Sequence, residues 1–197
     1  MDITNSIIDM AIEKKAELII THHPLIYNPI KNITYDNVIA RLIRHNISVI
    51  SCHSNLDAVK GGVNDQLIQG LDLTNIDVLS KSDNMGRIGK SKSKMTGYQL
   101  ALKLKAIVRA PYIQVINGDK SLRKIAVVSG SGGSYMDQAL EKRADAFVTG
   151  EVKHDQIIYA LNNNLVLIIL GHHYSERVVL NPLKQKLQAV LNEILFV

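Results

Sequence analysis

The sequence predicts an α/β fold built on a mainly parallel sheet, and three observations carry that reading. Short apolar runs alternate with stretches of helical spacing through most of the 197 residues, the rhythm of parallel strands covered by helices on both faces. Six of the seven histidines, His22, His23, His53, His154, His172 and His173, directly follow such a run or stand a few residues beyond it; only His45 does not. Loops leaving the carboxyl ends of parallel strands converge on one crevice, so residues distant in sequence can meet there. Finally, Glu17 to His23 and Val166 to His173 both read apolar strand, small residue, His-His. Two related lobes facing each other would place both pairs beside one cleft, and chance similarity between strands rich in Ile and Leu would give the same pattern.

In chain order, Asn5 to Lys15 carries Ile8, Ala11 and Ile12 at helical spacing and passes into a strand, Leu18 to Thr21. Pro24 keeps His23 out of helical backbone angles. A loop therefore follows, then a helix from Tyr35 to His45 with Val38, Ile39, Leu42 and Ile43 on one face and Thr34 as its N-cap. The strand Ile47 to Cys52 delivers His53 and a loop bearing Asp57, and Gly61-Gly62 opens a helix through Leu71. Ile76 to Ser80 and Met85 to Gly89 read as short strands around a turn at Ser82-Asp83-Asn84. Thr96 caps a helix to Ile107, Tyr112 to Ile116 is a strand, and Asn117-Gly118 is a turn signal. From Lys124 the rhythm is regular. Strand Ile125 to Ser129 meets the glycine-rich turn Gly130 to Ser134, and a helix runs to Arg143. Strand Ala146 to Thr149, helix His154 to Asn162, strand Leu165 to Leu170 and a last helix from Tyr174 complete it.

At 46% hydrophobic, the chain can bury a real core. Its low aromatic content argues against a stacking platform for nucleic acid. Net charge is +5, much of it in Lys81, Arg87, Lys90, Lys92 and Lys94. That run reads as a solvated loop, with an electrostatic guide for phosphorylated or nucleic-acid ligands as the functional alternative. The single cysteine, Cys52, excludes an internal disulfide and sits in an apolar run as a packed small hydrophobe. No signal peptide opens the sequence and no apolar stretch approaches a membrane span, so a cytoplasmic protein is expected.

Two adjacent histidine pairs at strand ends point to metal more than a lone histidine would. Neighbouring side chains in extended backbone point different ways, so His22 and His23 can serve two ions, or one can ligate while the other supports it. His172 and Glu176 stand four apart where a helix begins and can reach one ion from one helical face; a glutamate in a first turn also suits the helix dipole. Asp57 lies four residues beyond His53. Imidazole suits Zn, Fe and Ni, and added carboxylate shifts the choice towards harder ions such as Mn. The turn Gly130 to Ser134 could cradle a phosphate at a helix N-terminus. It lacks a Walker lysine and the dinucleotide glycine spacing, and a tight turn needing positive φ is the better explanation.

Six segments occur together and in order: Thr21-His22-His23-Pro24-Leu25; His53-Ser54-Asn55-Leu56-Asp57 with Gly61-Gly62-Val63-Asn64-Asp65; Gly86-Arg87-Ile88-Gly89; Ser129 to Ser134; Val148 to His154; and Gly171-His172-His173-Tyr174-Ser175-Glu176. With them the chain resembles the Ngg-interacting-factor-three-like proteins, often named GTP cyclohydrolase 1 type 2 homologues. The resemblance spans nearly the whole chain as a single family domain, with approximate lobes 1–80 plus 146–197 and 81–145. It implies a dinuclear metal centre in a cleft between two α/β lobes and a ring-shaped homohexamer. By position, the ligands would be His22, His23, Asp57, His172 and Glu176, with His53 and His154 lining the site as supporting or acid-base residues. Two divalent ions per chain, Zn, Fe or Mn, would be the cofactors. Members usually carry a further helix and strand before the equivalent of Asp2-Ile3-Thr4, and a final strand after the equivalent of Asn192 to Val197. The chain is therefore expected to be shortened at both ends.

The function expected is a metal-dependent hydrolase acting on a small phosphorylated or nucleotide-like compound. The alternative is a non-catalytic metal-binding or regulatory protein engaging a partner or nucleic acid. A third reading is a poorly functional, shortened copy.

Overall fold

The structure, a computed structural model, describes residues 1–196. Val197, the last residue of the expected shortened end, lies outside the described residues. Contacts divide the chain into two compact units, residues 1–56 with the stretch from Gln188 onward, and residues 57–187.

In the first unit, helix α1 (Asn5–Glu13) starts where Thr4 Oγ1 accepts the Ile7 N–H, and it turns Ile8 and Ala11 inward. Strands β1 (Leu18–Thr21) and β2 (Ser48–Ser51) pair in parallel, from Leu18 beside Ser48 to Thr21 beside Ser51. Between them lies α2 (Val38–Arg44), which begins at Asn37 rather than at Thr34. The cause is local. The Asn37 N–H closes a turn onto the Thr34 carbonyl, and the Asn37 side chain then accepts the Ile39 N–H. Ile8, Ala11, Leu42 and Ile47 form a small core against Ile19 and Val49. Asp57 lies not in a loop but on a short helix, α3 (Ser54–Ala58), on which the chain enters the second unit.

The second unit continues with α4 (Val63–Ile68), β3 (Leu73–Ser80), β4 (Met85–Thr96), α5 (Gly97–Val108), β5 (Gln114–Ile116) and β6 (Ser121–Val128). A 3-10 turn, Gly132–Tyr135, leads to α6 (Met136–Glu141), β7 (Ala146–Thr149), α7 (His154–Asn162), β8 (Val166–Ile169) and α8 (His172–Glu176). After a second 3-10 turn, Arg177–Val179, comes the helix α9 (Leu180–Val190), of which the stretch to Leu187 belongs to this unit. The six strands form one sheet in the order β3-β4-β6-β7-β8-β5. Strands on both sides of residue 145 therefore share it.

The sheet is mixed, which corrects the mainly parallel expectation: only β6, β7 and β8 run in parallel, while β3–β4, β4–β6 and β5–β8 are antiparallel. For β3 and β4, connection length decides this. A parallel pair needs a crossover, which α6 and α7 supply, whereas the four residues joining β3 to β4 can only turn back. Asn84 takes the left-handed conformation there at φ 61°.

A second correction concerns the basic run. Arg87, Lys90, Lys92 and Lys94 lie on β4 and not on a solvated loop, and Arg87 is buried. The turn at Asn117 is present, but its flanking strands do not pair with each other. The Asn117 side chain donates to the Leu165 carbonyl at 2.9 Å, and β5 lies against β8.

Helix α5 starts at Thr96 as the sequence indicates, through a capping box with Gln99. The two faces of β6 show why the sheet is covered twice. Ile125 and Val127 pack with Leu100, Leu104 and Val108, while Ala126 and Val128 pack with Met136, Ala139 and Phe147. No helix among the described residues is long and apolar enough to cross a membrane.

Candidate metal centre

In the first unit, His22 and His23 leave β1 ahead of Pro24. The Thr21 hydroxyl donates to the His23 carbonyl at 2.8 Å, and both histidine N–H groups donate to the Met1 carbonyl at 3.2 Å. The His22 ring is buried, with Nδ1 2.7 Å from the Cys52 carbonyl oxygen. A carbonyl only accepts, so this nitrogen carries the proton. His23 Nδ1 lies 2.7 Å from Asp2 Oδ1 and donates to that carboxylate.

His53, just beyond β2, brings its ring centroid to 5.4 Å from that of His22 and 5.6 Å from that of His23. One ring nitrogen of each falls within 4.8 Å of the others, close enough to share an ion. Cys52 contributes its carbonyl to this arrangement.

In the second unit, the buried Asp57 accepts the Ser129 hydroxyl at 3.2 Å. Asn64, fully buried, ties the same two segments. Its amide donates to the Asp57 carbonyl at 3.0 Å, and its Oδ1 accepts the Ser129 N–H at 2.9 Å. Behind them Arg87 pairs with Asp65 and donates to the Ala58 carbonyl at 3.1 Å, fixing the residue after Asp57.

At the end of β8, Gly171 takes φ +86° and turns the chain straight into α8. His172 Nε2 then sits 3.0 Å from Glu176 Oε1, and its Nδ1 sits 3.1 Å from Glu151 Oε1. Glu151 also accepts the Ser131 hydroxyl. The hydrogen bond to buried Glu176 raises the His172 pKa to about 9, with Glu151 adding to the rise and burial opposing it. Ser131, and then His172, hold the Glu151 carboxyl below its ordinary range.

The glycine-rich turn serves this packing. Gly130 takes φ +60°, and a Cβ there would run into the Glu176 carboxylate. Its N–H donates to Ser175 Oγ at 3.0 Å and that of Gly132 to Thr149 Oγ1 at 3.0 Å. Two of the turn's backbone donors are thus committed to protein oxygens, which supports the tight-turn reading over a phosphate cradle.

Of the seven expected site residues, His22, His23 and His53 stand together in the first unit, and His172 and Glu176 pair in the second. Asp57 is buried and anchored by Ser129 in that same unit. His154 opens α7 as an exposed residue and belongs to no such group among the described residues. His173 is exposed, its ring edge-on to Tyr174.

Four supporting residues carried no signal of their own in the sequence: Asp2, Asn64, Ser129 and Glu151. Three of them lie inside recurring segments quoted above. Asp2 meets His23 across 21 positions, a distance no spacing rule covers. The donors present, imidazole nitrogens with carboxylate oxygens, fit borderline divalent ions.

The family model described as Duf34/NIF3 (NGG1p interacting factor 3) matches residues 1–197. The chain is 29% identical to the GTP cyclohydrolase 1 type 2 homolog of Clostridium acetobutylicum, over 98% of this chain and 76% of that protein. It is 32% identical to the protein of the same name from Lactococcus lactis, over 96% and 76%. The crystal structure of a Bacillus cereus protein related to NIF3 superposes with a TM-score of 0.90 at 23% identity, over 98% of this chain and 82% of that one. That likeness is one of fold.

Proposed function

The chain belongs to the Duf34/NIF3 family, and from that premise we propose that it is a metal-dependent hydrolase of a small phosphorylated or nucleotide-like compound. Two divalent ions, Zn, Fe or Mn, would be held by His22, His23, Asp57, His172 and Glu176. The observation that carries the reading is the His22, His23 and His53 cluster at the ends of β1 and β2, with ring nitrogens within 4.8 Å. The His172–Glu176 pair supports it independently. Such ions would supply Lewis acidity, activating water and polarising the scissile group.

The protein's own residues divide the remaining work. The Cys52 carbonyl orients the His22 ring through Nδ1. Asp57 is oriented by Ser129 and brings negative charge that balances the ions. His53 stands beside two ligand rings and is the first candidate to move protons, an imidazole being suited to transfer near neutral pH. His154 is the second. We place this activity in a cytoplasmic homohexamer, following the family resemblance.

Metal analysis of protein purified without added ions, together with its mass in solution, tests the reading. Two equivalents per chain and turnover of a nucleoside triphosphate or phosphate ester that vanishes in Asp57→Ala are expected. Fewer than one equivalent, or turnover unchanged in Asp57→Ala, sinks it.

A second reading has one observation behind it, since the family description itself speaks of an interacting factor. Metal-dependent capture of a protein partner or nucleic acid without turnover would favour that non-catalytic role.

A further inference from the structure

The same ring atom is engaged in three of the proposed ligands, once by a backbone carbonyl and twice by a carboxylate. His22 gives Nδ1 to the Cys52 carbonyl, His23 gives it to Asp2 at 2.7 Å, and His172 gives it to Glu151 at 3.1 Å. We propose that Asp2 and Glu151 are positioning carboxylates, which hold the Nδ1 protons of His23 and His172 and so make Nε2 the metal-donor atom of both rings. This rests on the metal-centre reading above.

The chemistry follows from the tautomer. A neutral imidazole has one protonated nitrogen and one lone pair, and a hydrogen-bond acceptor on Nδ1–H fixes the lone pair on Nε2. A carboxylate in that place also raises the basicity of Nε2 and stops the ring from rotating.

Glu151 is anchored through its own side chain, and Asp2 through the backbone beside it. Glu151 accepts the Ser131 hydroxyl, and its backbone N–H donates to the Gly130 carbonyl at 3.0 Å. The residue before Asp2 is pinned where its carbonyl accepts the backbone N–H groups of His22 and His23. On His172 the arrangement is two-sided. Glu151 meets Nδ1, while Glu176, a proposed ligand, meets Nε2 at 3.0 Å.

The test uses the full chain with zinc(II) as probe, in competition with a chromophoric chelator. Asp2→Ala and Glu151→Ala should each weaken zinc binding roughly 10- to 100-fold. Glu151→Gln and Asp2→Asn, whose amide oxygens still accept the Nδ1 proton, should lose less than the alanine variants. Circular dichroism matching the wild type will show that the variants are folded.

A second readout needs no metal. Histidine nitrogen NMR of the metal-free protein at about pH 10, where imidazole is neutral, should show the proton on Nδ1 of His23, which faces Asp2, whereas metal-free His172 faces a carboxylate at each nitrogen and shares its proton between them. Glu151→Ala should disturb only His172, and Asp2→Ala only His23. Equal zinc affinity in wild type and alanine variants, or a His23 proton found on Nε2, overturns the proposal while leaving the metal centre standing. A wild-type protein that takes up neither zinc, iron(II) nor manganese(II) overturns both.

Discussion

One sequence pattern, an apolar strand running into His-His, is used twice, and the two units treat it differently. After β1 the chain bends at His22 and His23 without entering a helix, since Pro24 bars the helical angles for His23. Both histidines are therefore held from outside, by Cys52 and Asp2. After β8, Gly171 at φ +86° turns the chain into a helix, and His172 meets Glu176 one turn on. His173, the partner by sequence, is left exposed. The residue on either side of a repeated motif thus decides which of its side chains can work.

The largest effect expected from breaking this contrast falls on the ion pairs that brace each unit. Arg87, buried in the second unit, pairs with Asp65 and holds the carbonyl next to Asp57. Arg87→Ala should cost about 3–5 kcal/mol in urea unfolding, because it strands a partly buried carboxylate. In the first unit Arg41 meets a largely exposed Asp9, and Arg41→Ala should cost under about 1 kcal/mol. Equal costs would mean that the two units are braced alike.

Next comes the pair itself. His172→Ala should weaken zinc binding more than about 100-fold, equivalent to ~2.8 kcal/mol, whereas His173→Ala should leave it within about threefold in the same chelator competition. If His173→Ala is the worse variant, the helical arrangement at β8 is not what selects the ligand.

Smaller again are the backbone residues that set the contrast. Gly171→Ala forces a Cβ onto a left-handed backbone and should lower stability by about 1–3 kcal/mol. Pro24→Ala should change it by under about 1 kcal/mol. A calorimetric Tm series would show equal shifts for the two variants if the strand ends were equivalent.

The smallest effect is one of pH on metal-free protein. The His172 pKa is raised from 6.5 to about 9, chiefly by Glu176. Its contribution is therefore complete below pH 6.5 and is lost as pH rises through 9. The stability gap between wild type and His172→Asn should be flat below pH 6.5 and shrink from there to pH 9. A gap that widens over that window would contradict the Glu176 contact. Glu151, held low, works in the opposite direction and loses its contribution only as the solution turns acid.

Much of this was legible from residues alone, because it depends on neighbours in the chain. The strand Leu18 to Thr21, the Thr96 cap, the strand Ala146 to Thr149, and the helix His154 to Asn162 follow from local periodicity and local hydrogen bonding. The spacing of His172 and Glu176 is local too, since one helical turn brings them together. What the sequence could not decide is pairing at a distance. Strand direction around β4, the burial of Arg87, the departure of β5 to β8, and the grip of Asp2, Ser129 and Glu151 on the site residues each depend on which segments the fold places side by side. Propensity and spacing act over a few residues, whereas a side chain's partner is chosen by tertiary packing, and in this protein that packing sets the orientation of the proposed metal ligands.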